Sequence, residues 1–343
     1  MPPTKAVDKI FPITTFISDL PTSLIPRPLR SSSENGVASG RLIIVGDVHG
    51  MRKSLEALLD KVGFDKSKGD HLILVGDLVN KGPDSPGVVD LAIKLGASAV
   101  RGNHENAVLD AAAEIKATKD NILHPGGLTD SPTIPENREA DLHAVRGFEI
   151  SDKCVSDTTT GISMRHSAAT YSTASVLSTR QLDWLAALPL ILRVKLPHTP
   201  TSSLGDSLIV VHAGLVPDVS LEDQDPYALM HIRSLVRTSG DEDGFMPAEI
   251  SGEESWVTEW NRWQDKLASK TTVVFGHDAK RRLQLSRYAI GLDSACLYGH
   301  QLSAVVIAAS DGEIEHQILQ VECADVPVVP TVSVKQEDNP VVD

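Results

Sequence analysis

The stretch RLIIVGDVHGMRKSLEALLDKV, residues 41–62, decides the fold class of this chain. Its first five residues are mostly apolar and predict a short buried strand, which ends at a Gly-Asp pair. Leu55, Leu58 and Val62 then recur at helical spacing and predict an amphipathic helix. A strand, a tight turn and a helix in this order form the first part of a β-α-β unit.

Two further strand–helix pairs follow the first. Residues 71–75 predict a second strand, and residues 86–96 predict a helix because they open with Pro and close with Gly. Residues 98–100 predict a third strand and residues 105–120 a third helix. The alternation implies adjacent parallel strands that are joined by right-handed crossovers.

The second half of the chain is richer in strands than in helices. The last strands follow one another through turn-like links, which predicts a second, more antiparallel sheet. We therefore predict an α/β fold with two mixed sheets flanked by helices, in four αββα layers. The later strands are predicted at residues 191–196, 207–211, 271–275, 288–293, 303–309 and 314–321.

Composition sets the predicted domain boundaries. Residues 1–40 end in a Ser-, Gly- and Asn-rich stretch and predict a flexible N-terminal segment. The domain itself is predicted at residues 41–322, with an insertion at about 121–178 that is rich in Pro, Gly, Ser and Thr. Residues 323–343 mix Pro, Val and charged residues without periodicity and predict a disordered tail.

Charge and cysteine content narrow the class of protein. The chain has 32 Lys and Arg against 46 Asp and Glu, a net charge of −14, so we expect no nucleic-acid or membrane-surface partner. The three cysteines, Cys154, Cys296 and Cys323, form no CxxC pair, which favours a reducing compartment without a cysteine zinc site. No apolar run approaches the roughly 18 residues of a membrane span. These features predict a cytoplasmic protein, with a nuclear location as the alternative.

Polar side chains follow five of the predicted strands. Singly, each Asp has an ordinary reading as a turn residue or helix cap, and each His as a hydrogen-bonded structural residue. Jointly they predict one site, because ligands in α/β sheets bind beyond the carboxyl ends of the strands. The residues concerned are Asp47, His49, Asp77, Asn103, His104, His212 and His277.

The chemistry of this set indicates metal ions. Oxygen and imidazole donors without sulfur suit Mn, Zn, Fe, Co or Mg rather than a thiolate site. Two carboxylates, an amide and at least three imidazoles are too many ligands for one ion that keeps an open position. They suit two divalent ions about 3.5–4 Å apart that share a carboxylate, the geometry for in-line displacement at phosphorus.

The motifs GDVHG, GDLVNKG, RGNHE, HAG and GH, in this order, resemble those of the calcineurin-like metallophosphoesterases. RGNHE and HAGL resemble the phosphoprotein phosphatase branch. GDLVNKGPDS, LDWLAALP, MHIRSLV and GLDSACLYG resemble the ApaH-like phosphatases, which are similar to bacterial symmetrical bis(nucleosyl)-tetraphosphatases and fungal endopolyphosphatases. The resemblance covers roughly residues 40–322 and implies the four-layer metallophosphoesterase sandwich.

The resemblance also implies roles for individual residues. Asp47 and His49 hold the first metal, and Asp77 bridges to a second, which Asn103, His212 and His277 complete. His104 protonates the leaving oxygen, and Asn80 is its hydrogen-bonding partner. A hydroxide bridging the two metals attacks phosphorus directly, and no phosphoenzyme forms.

Basic residues near the motifs predict an anionic substrate. Lys81, Arg101 and Arg233 are predicted to contact phosphate, although ordinary surface charge is the alternative reading for such residues. Asp293 and Tyr298 lie on a stretch that resembles a substrate-facing loop. The expected partner is a phosphorylated small molecule or polyphosphate.

The leading functional prediction is cleavage of phosphoanhydride bonds, in polyphosphate or in a dinucleoside polyphosphate. A serine/threonine protein phosphatase is the alternative, and a metal-binding scaffold without activity is a remote one. Protein phosphatases have Asp-Arg where this chain has Asn80-Lys81. An amide lacks the charge that favours imidazolium, so His104 is less readily protonated, and a departing phosphate needs that proton less than an alkoxide does.

Overall fold

The computed structural model describes residues 10–28, 40–123, 165–197, 204–237, 244–252, 254–310 and 312–329. Most of the predicted insertion and the end of the predicted tail lie outside these ranges. The helices are α1 (Arg52–Val62), α2 (Ser85–Leu95), α3 (Asn103–Leu123), α4 (Ala168–Val176), α5 (Thr179–Ala186), α6 (Pro226–His231) and α7 (Trp256–Lys266). The strands are β1 (Ile17–Asp19), β2 (Leu42–Val45), β3 (His71–Leu74), β4 (Ser98–Ala99), β5 (Ile191–Val194), β6 (Ser207–Val211), β7 (Ser234–Arg237), β8 (Phe245–Ala248), β9 (Thr271–Phe275), β10 (Gln284–Leu285), β11 (Ala289–Gly291), β12 (Gln301–Ser310) and β13 (Glu313–Glu322).

The first sheet contains the strands of the β-α-β units. Its order is β13-β12-β2-β3-β4, and β2, β3 and β4 are parallel, as the alternation of elements predicts. The helix α1 ends at Gly63, which takes the left-handed conformation with φ 64°. The buried face of α1, which includes Leu55 and Leu58, packs against the outer face of this sheet together with α2 and α5.

The second sheet has six strands in the order β1-β5-β6-β9-β11-β10. Its pairings are mixed: β6 and β9 are parallel, whereas β5 and β6 are antiparallel. Side chains of both sheets, such as Ile44 and Val274, form one buried cluster between them, while α6 and α7 cover the outer face of the second sheet. The prediction of two mixed sheets flanked by helices is confirmed. A short hairpin of β7 and β8 lies outside both sheets.

The placement of the last two strands differs from the prediction. β12 pairs antiparallel with β2, with Val305 opposite Ile44, and β13 pairs with β12, so both extend the first sheet. Ala304, Val305 and Val306 are all buried, because β12 has a helix on one face and the second sheet on the other. The prediction that all late strands form the second sheet is therefore wrong.

Both predicted domain boundaries also need correction. Residues 17–19 form β1, which pairs in parallel with β5, so the fold begins well before residue 41. At the other end, the carboxylate of Asp325 accepts hydrogen bonds from the backbone N–H and the hydroxyl of Ser54, at the start of α1. The part of the tail at 323–329 is thus packed on the domain.

Among the described residues, no helix combines the length and the apolar character that a bilayer-spanning helix needs. The cytoplasmic location and the absence of a nucleic-acid partner stay predictions.

Candidate active site

The carboxyl ends of β2, β3, β6 and β9 meet at one edge of the sandwich, because both sheets present that edge to the same cleft. The loops after these strands and the first turn of α3 carry the predicted ligands to this edge. The structure brings together all six predicted metal ligands there: Asp47, His49, Asp77, Asn103, His212 and His277.

The backbone in these loops is strained. Left-handed φ angles are uncommon for residues other than Gly, and they cluster at functional sites where the surroundings hold them in place. Gly76 and Gly82 allow the loops to approach closely: a Cβ on Gly82 would lie 1.8 Å from the carbonyl oxygen of His49. The residues with positive φ are His49 (46°), Asp77 (50°), Asn80 (77°), Lys81 (69°) and His277 (70°).

Asp77 lies at the centre of the cluster. Its Oδ2 is 3.5 Å from Nε2 of His49, and its Oδ1 is 3.4 Å from Nε2 of His212. Ligands held tetrahedrally at about 2.1 Å from an ion are about 3.4 Å apart. The two oxygens of Asp77 therefore face two separate imidazoles at the spacing that shared metal ligands adopt.

The side chain of Asn103 contacts two imidazoles, those of His212 and His277. Its Oδ1 is 3.0 Å from Nε2 of His212 and 3.2 Å from Nδ1 of His277. The remaining ring nitrogen of His277, Nε2, is buried without a hydrogen-bond partner. Two imidazole nitrogens that face the same amide oxygen, Nε2 of His212 and Nδ1 of His277, fit a shared site for a cation.

Asp47 is almost completely buried. Both of its carboxylate oxygens accept the backbone N–H of His277, at 3.1 and 3.0 Å. Burial, together with the charges of Asp293 and Asp77, raises the pKa of Asp47 well above its ordinary value. Without a cation, three buried carboxylates would repel one another, so their grouping also fits a positively charged occupant.

The protonation of the cluster suits metal binding. Burial lowers the pKa of His49 to about 3 and that of His212 to about 4, so both imidazoles are neutral and able to donate a lone pair. Burial raises the pKa of Asp77 to about 7. These donors fit divalent ions, which when bound would polarise phosphoryl oxygens and lower the pKa of water.

The pKa values predict how the metal-free protein responds to pH. The pKa of Asp77 and of Glu105 is about 7 in the folded state, whereas the unfolded chain releases these protons at lower pH. The folded state therefore holds extra protons, so the free energy of unfolding falls as pH rises above the ordinary carboxyl pKa and levels off above about pH 7. The histidines have lowered pKa values and are neutral in both states above pH 6.5, so they add nothing there.

We expect the melting temperature of chelator-treated protein to fall by roughly 2–5 °C between pH 6.5 and pH 8. Added Zn²⁺ or Mn²⁺ should raise the melting temperature more at pH 8 than at pH 6.5, because it neutralises the carboxylates. Differential scanning fluorimetry measures both effects. A melting temperature that rises over this interval without metal would contradict the assignment of these buried carboxylates.

Glu105 supports the candidate site and was not predicted from the sequence. Its fully buried carboxylate accepts hydrogen bonds from four backbone N–H groups at 2.7–3.2 Å. Three of these donors, Asp77, Leu78 and Val79, belong to the loop that carries Asp77, and the fourth is Gly102. The carboxylate thus fixes the strained loop beneath the bridging residue. The signal was present in RGNHE, where Glu105 occupies the first turn of α3, a position that favours acidic residues.

Asn80 and His104 form a hydrogen-bonded pair beside Asp77. Nδ2 of Asn80 lies 3.0 Å from Nδ1 of His104, and Nε2 of His104 lies 4.0 Å from Oδ2 of Asp77. Burial, with the nearby His49 and Lys81, lowers the pKa of His104 well below its ordinary value. The imidazole is therefore neutral and points its Nε2 side toward the centre of the cluster.

A cleft of about 720 Å³ opens above the cluster. Lys81, Arg233, Asp293 and Tyr298, four of the five predicted substrate contacts, line it, and so does Lys280. Burial raises the pKa of Asp293 to about 6, and this carboxyl lies against Asp47 rather than in the open part of the cleft. Cations line the cleft although the chain as a whole is acidic, which suits an anionic substrate.

The prediction that Arg101 contacts substrate is wrong. Its side chain is 0% exposed, and its guanidinium donates to the carbonyl oxygens of Phe11, Pro12 and Ala186. Arg101 therefore ties the N-terminal segment to the end of α5. Its position as the first residue of RGNHE gave no sign that the side chain points away from the cleft.

Comparison with known proteins places the chain in a family. The model of the calcineurin-like phosphoesterases matches residues 40–306, more than half of the chain. The chain belongs to the calcineurin-like phosphoesterase family. It is therefore a metallophosphoesterase, and the predictions of this fold, of divalent metal cofactors and of a metal-dependent hydrolase are confirmed at that level.

Several relatives cover nearly the whole domain. The zinc-dependent endopolyphosphatase of Saccharomyces cerevisiae is 28% identical over 315 residues, which are 89% of this chain and 88% of that protein. The symmetrical bis(5'-nucleosyl)-tetraphosphatase of Nitrosomonas europaea is 24% identical over 81% of this chain and 97% of its own. A crystal structure of a candidate diadenosine tetraphosphatase is 29% identical, with a TM-score of 0.57, and covers 90% of this chain and 98% of that one. The predicted likeness to these two kinds of phosphatase is confirmed.

Proposed function

We propose that this protein is a two-metal phosphohydrolase that cleaves phosphoanhydride bonds in polyphosphate or a dinucleoside polyphosphate. The observation that carries the proposal is the uncharged amide of Asn80, 3.0 Å from Nδ1 of His104. Two relatives that match most of the chain are named for hydrolysis of such substrates, one for polyphosphate and one for dinucleoside tetraphosphate.

In this proposal the ligands divide into two groups around Asp77. Asp47 and His49 would hold one ion, and Asn103, His212 and His277 would hold the other, with Asp77 as a ligand common to both groups. The 3.4 and 3.5 Å distances from the two oxygens of Asp77 to His212 and His49 support this division. The two ions together would neutralise charge on the reacting phosphoryl group and activate water.

The side chains of the cleft then bind and orient the substrate. Lys81 and Arg233 lie where they can contact the phosphate oxygens. Their positive charges offset the negative charges of the bound substrate. Nε2 of His104 donates a hydrogen bond to the oxygen that leaves and so stabilises the negative charge that develops there, while the departing phosphate takes any proton from solvent. Removal of one such donor typically lowers the rate about 10²–10³-fold.

The amide at position 80 favours a leaving group that needs little protonation. A carboxylate at this position would stabilise a positively charged imidazole, whereas the amide of Asn80 carries no charge to do so. His104 is in addition buried, which further disfavours its charged form. A phosphate leaving group is a much weaker base than an alkoxide, so phosphoanhydrides suit a neutral donor better than phosphoserine does.

A serine/threonine protein phosphatase is the second candidate. Serine/threonine-protein phosphatase 1 of Salmonella typhimurium is 44% identical over 75 residues, which are 22% of this chain and 34% of that protein. The local identity is high, but it leaves most of both chains unmatched. Endopolyphosphatase and tetraphosphatase relatives match 81–89% of this chain, which favours the phosphoanhydride proposal.

Exchange of the amide for a carboxylate tests the proposal. In Asn80→Asp, His104 gains an anionic partner, and we expect kcat/KM for a phosphothreonine peptide to rise about tenfold relative to that for polyphosphate. Both substrates should be assayed with Mn²⁺, Zn²⁺, Co²⁺ and Mg²⁺, and polyphosphate products resolved by chain length on a gel. If neither activity changes, the assignment of substrate class from Asn80 is wrong.

Arg233 gives a prediction for substrate binding. Its guanidinium donates to the carbonyl oxygens of Glu249 (3.2 Å) and His277 (3.4 Å), which leaves other N–H groups for phosphate. We expect Arg233→Ala to lower kcat/KM for polyphosphate about 10–100-fold, mainly through KM. Arg237, whose side chain bonds to Glu254 outside the cleft, supplies the control, and Arg237→Ala should stay within about twofold. Equal effects of the two variants on kcat/KM would contradict a substrate-binding role for Arg233.

A further inference from the structure

We propose that Thr170 and Thr173 are positioning residues that hold the amide of Asn80 with its NH₂ group toward His104. This arrangement keeps the proton of the neutral imidazole on Nε2, the nitrogen that faces the reacting centre. The two threonines belong to α4, a helix with no recognisable catalytic motif. The catalytic consequence rests on the proposed function, whereas the hydrogen-bond arrangement does not.

The orientation of the amide follows from an obligatory donor. The backbone N–H of Lys81 donates to Oδ1 of Asn80 at 3.0 Å, and a backbone N–H can only donate. The atom at that position must therefore be the amide oxygen. The opposite side of the amide, 3.0 Å from Nδ1 of His104, must be the NH₂ group.

The two threonines complete the set of partners. Nδ2 of Asn80 donates to Oγ1 of Thr170 at 3.0 Å, and Oγ1 of Thr173 donates to Oδ1 of Asn80 at 3.4 Å. All three side chains are at most 9% exposed, so water does not replace these partners. Each N–H and the oxygen of the amide thus has a protein partner, which prevents rotation of the buried group.

The tautomer of His104 follows from this orientation. An imidazole nitrogen that faces an NH₂ group must accept a hydrogen bond, so Nδ1 of His104 carries no proton in the neutral ring. The proton is then on Nε2, which lies 4.0 Å from Oδ2 of Asp77. His104 consequently presents a hydrogen-bond donor to the leaving oxygen without being an imidazolium ion.

The helix that carries the threonines is anchored to the helix that carries His104. His166 Nε2 lies 2.8 Å from Oδ2 of Asp110, and Arg165 and Tyr171 both bond to Glu114. Asp110 and Glu114 belong to α3, whose first turn contains His104. The ion pairs therefore fix α4 against α3 and keep the threonines at a constant distance from the catalytic pair.

The tautomer can be measured directly in metal-free protein. Long-range ¹H–¹⁵N correlation spectra of ¹⁵N-labelled protein at neutral pH distinguish protonated from unprotonated ring nitrogens, and His104→Gln assigns the signals. We expect Nδ1 of His104 to be unprotonated and Nε2 to be protonated. A His104 signal with its proton on Nδ1 would overturn the proposal whatever the substrate of the enzyme is.

Substitutions on α4 test the role of the threonines. Thr170→Val and Thr173→Val remove a hydroxyl and keep the volume, and we expect each to lower kcat about tenfold with KM changed less than twofold. Thr170→Ser and Thr173→Ser retain the hydroxyl and should restore most of kcat. Ser172→Ala, on the exposed side of the same helix, is the control and should leave kcat unchanged.

The spectra and the kinetics separate the possible failures. The double variant Thr170→Val/Thr173→Val should show both tautomers of His104, whereas the serine variants should show only the Nε2–H form. If the valine variants keep the wild-type spectrum and kcat, the threonines do not position Asn80. If no phosphoanhydride is cleaved but the spectra behave as expected, the proposed function fails and the positioning role stands.

Discussion

Asp77→Asn is expected to lower kcat/KM for polyphosphate at least about 10³-fold and to reduce bound metal below one ion per chain. The substitution preserves the shape of the side chain and the acceptor for the backbone N–H of His104, which bonds to Oδ1 at 3.0 Å. It removes the negative charge and one of the two oxygens that face His49 and His212. Both proposed ions therefore lose the ligand that they share.

Metal content and activity should fall together in this variant. Inductively coupled plasma mass spectrometry after dialysis gives the metal content, and the melting temperature shows whether the fold is kept. Asp90→Asn, an exposed carboxylate on α2, controls for the loss of one charge and should behave like the wild type. An Asp77→Asn protein that keeps two ions and at least a tenth of the activity would contradict the bridging role.

His104→Gln is expected to lower kcat about 10²–10⁴-fold while the metal content stays unchanged. His104 lies beside the cluster, but its Nδ1 is engaged by Asn80, and its Nε2 faces the substrate side. The loss should be larger for a phosphothreonine peptide than for polyphosphate, because an alkoxide is the stronger base and gains more from the hydrogen bond. KM should change little, since the phosphate-binding cations remain.

The control for this variant is a histidine distant from the cleft. His316 is half-buried on β13 and does not line the cleft. His316→Gln should therefore leave kcat and the metal content unchanged. A reduced metal content in His104→Gln would identify His104 as a metal ligand rather than as the hydrogen-bond donor to the leaving oxygen. A fall in kcat of less than about threefold on every substrate would exclude it from the chemistry.

The sequence predicted the elements of the site better than their surroundings. Asp47, His49 and Asp77 follow apolar strands, and the strand edge brings them together because parallel strands end on the same side. The pairing of β12 with β2 was not predictable, because apolar alternation indicates a strand but not its neighbour. The error over Arg101 has the same origin, since proximity in sequence to a motif does not show which way a side chain points.

Residues that support the site indirectly, by holding other side chains or loops in place, were the hardest to predict from the sequence. Glu105 is adjacent to His104 in the sequence, but three of its four hydrogen bonds come from a loop that is 26–28 residues away. Thr170 is 90 residues from Asn80 and lies in a segment whose composition predicts an insertion. Such contacts arise from tertiary packing, which local patterns of hydrophobicity and charge do not encode.

The central claim, that the site is built for phosphoanhydrides, is tested most directly by the wild-type ratio of two rate constants. These are kcat/KM for linear polyphosphate and kcat/KM for a phosphothreonine peptide, measured on the same preparation with its preferred metal. The neutral His104 and its amide partner predict a ratio of at least about 10² in favour of polyphosphate. A ratio of one or less would contradict the claim and would indicate an enzyme that prefers phosphomonoesters.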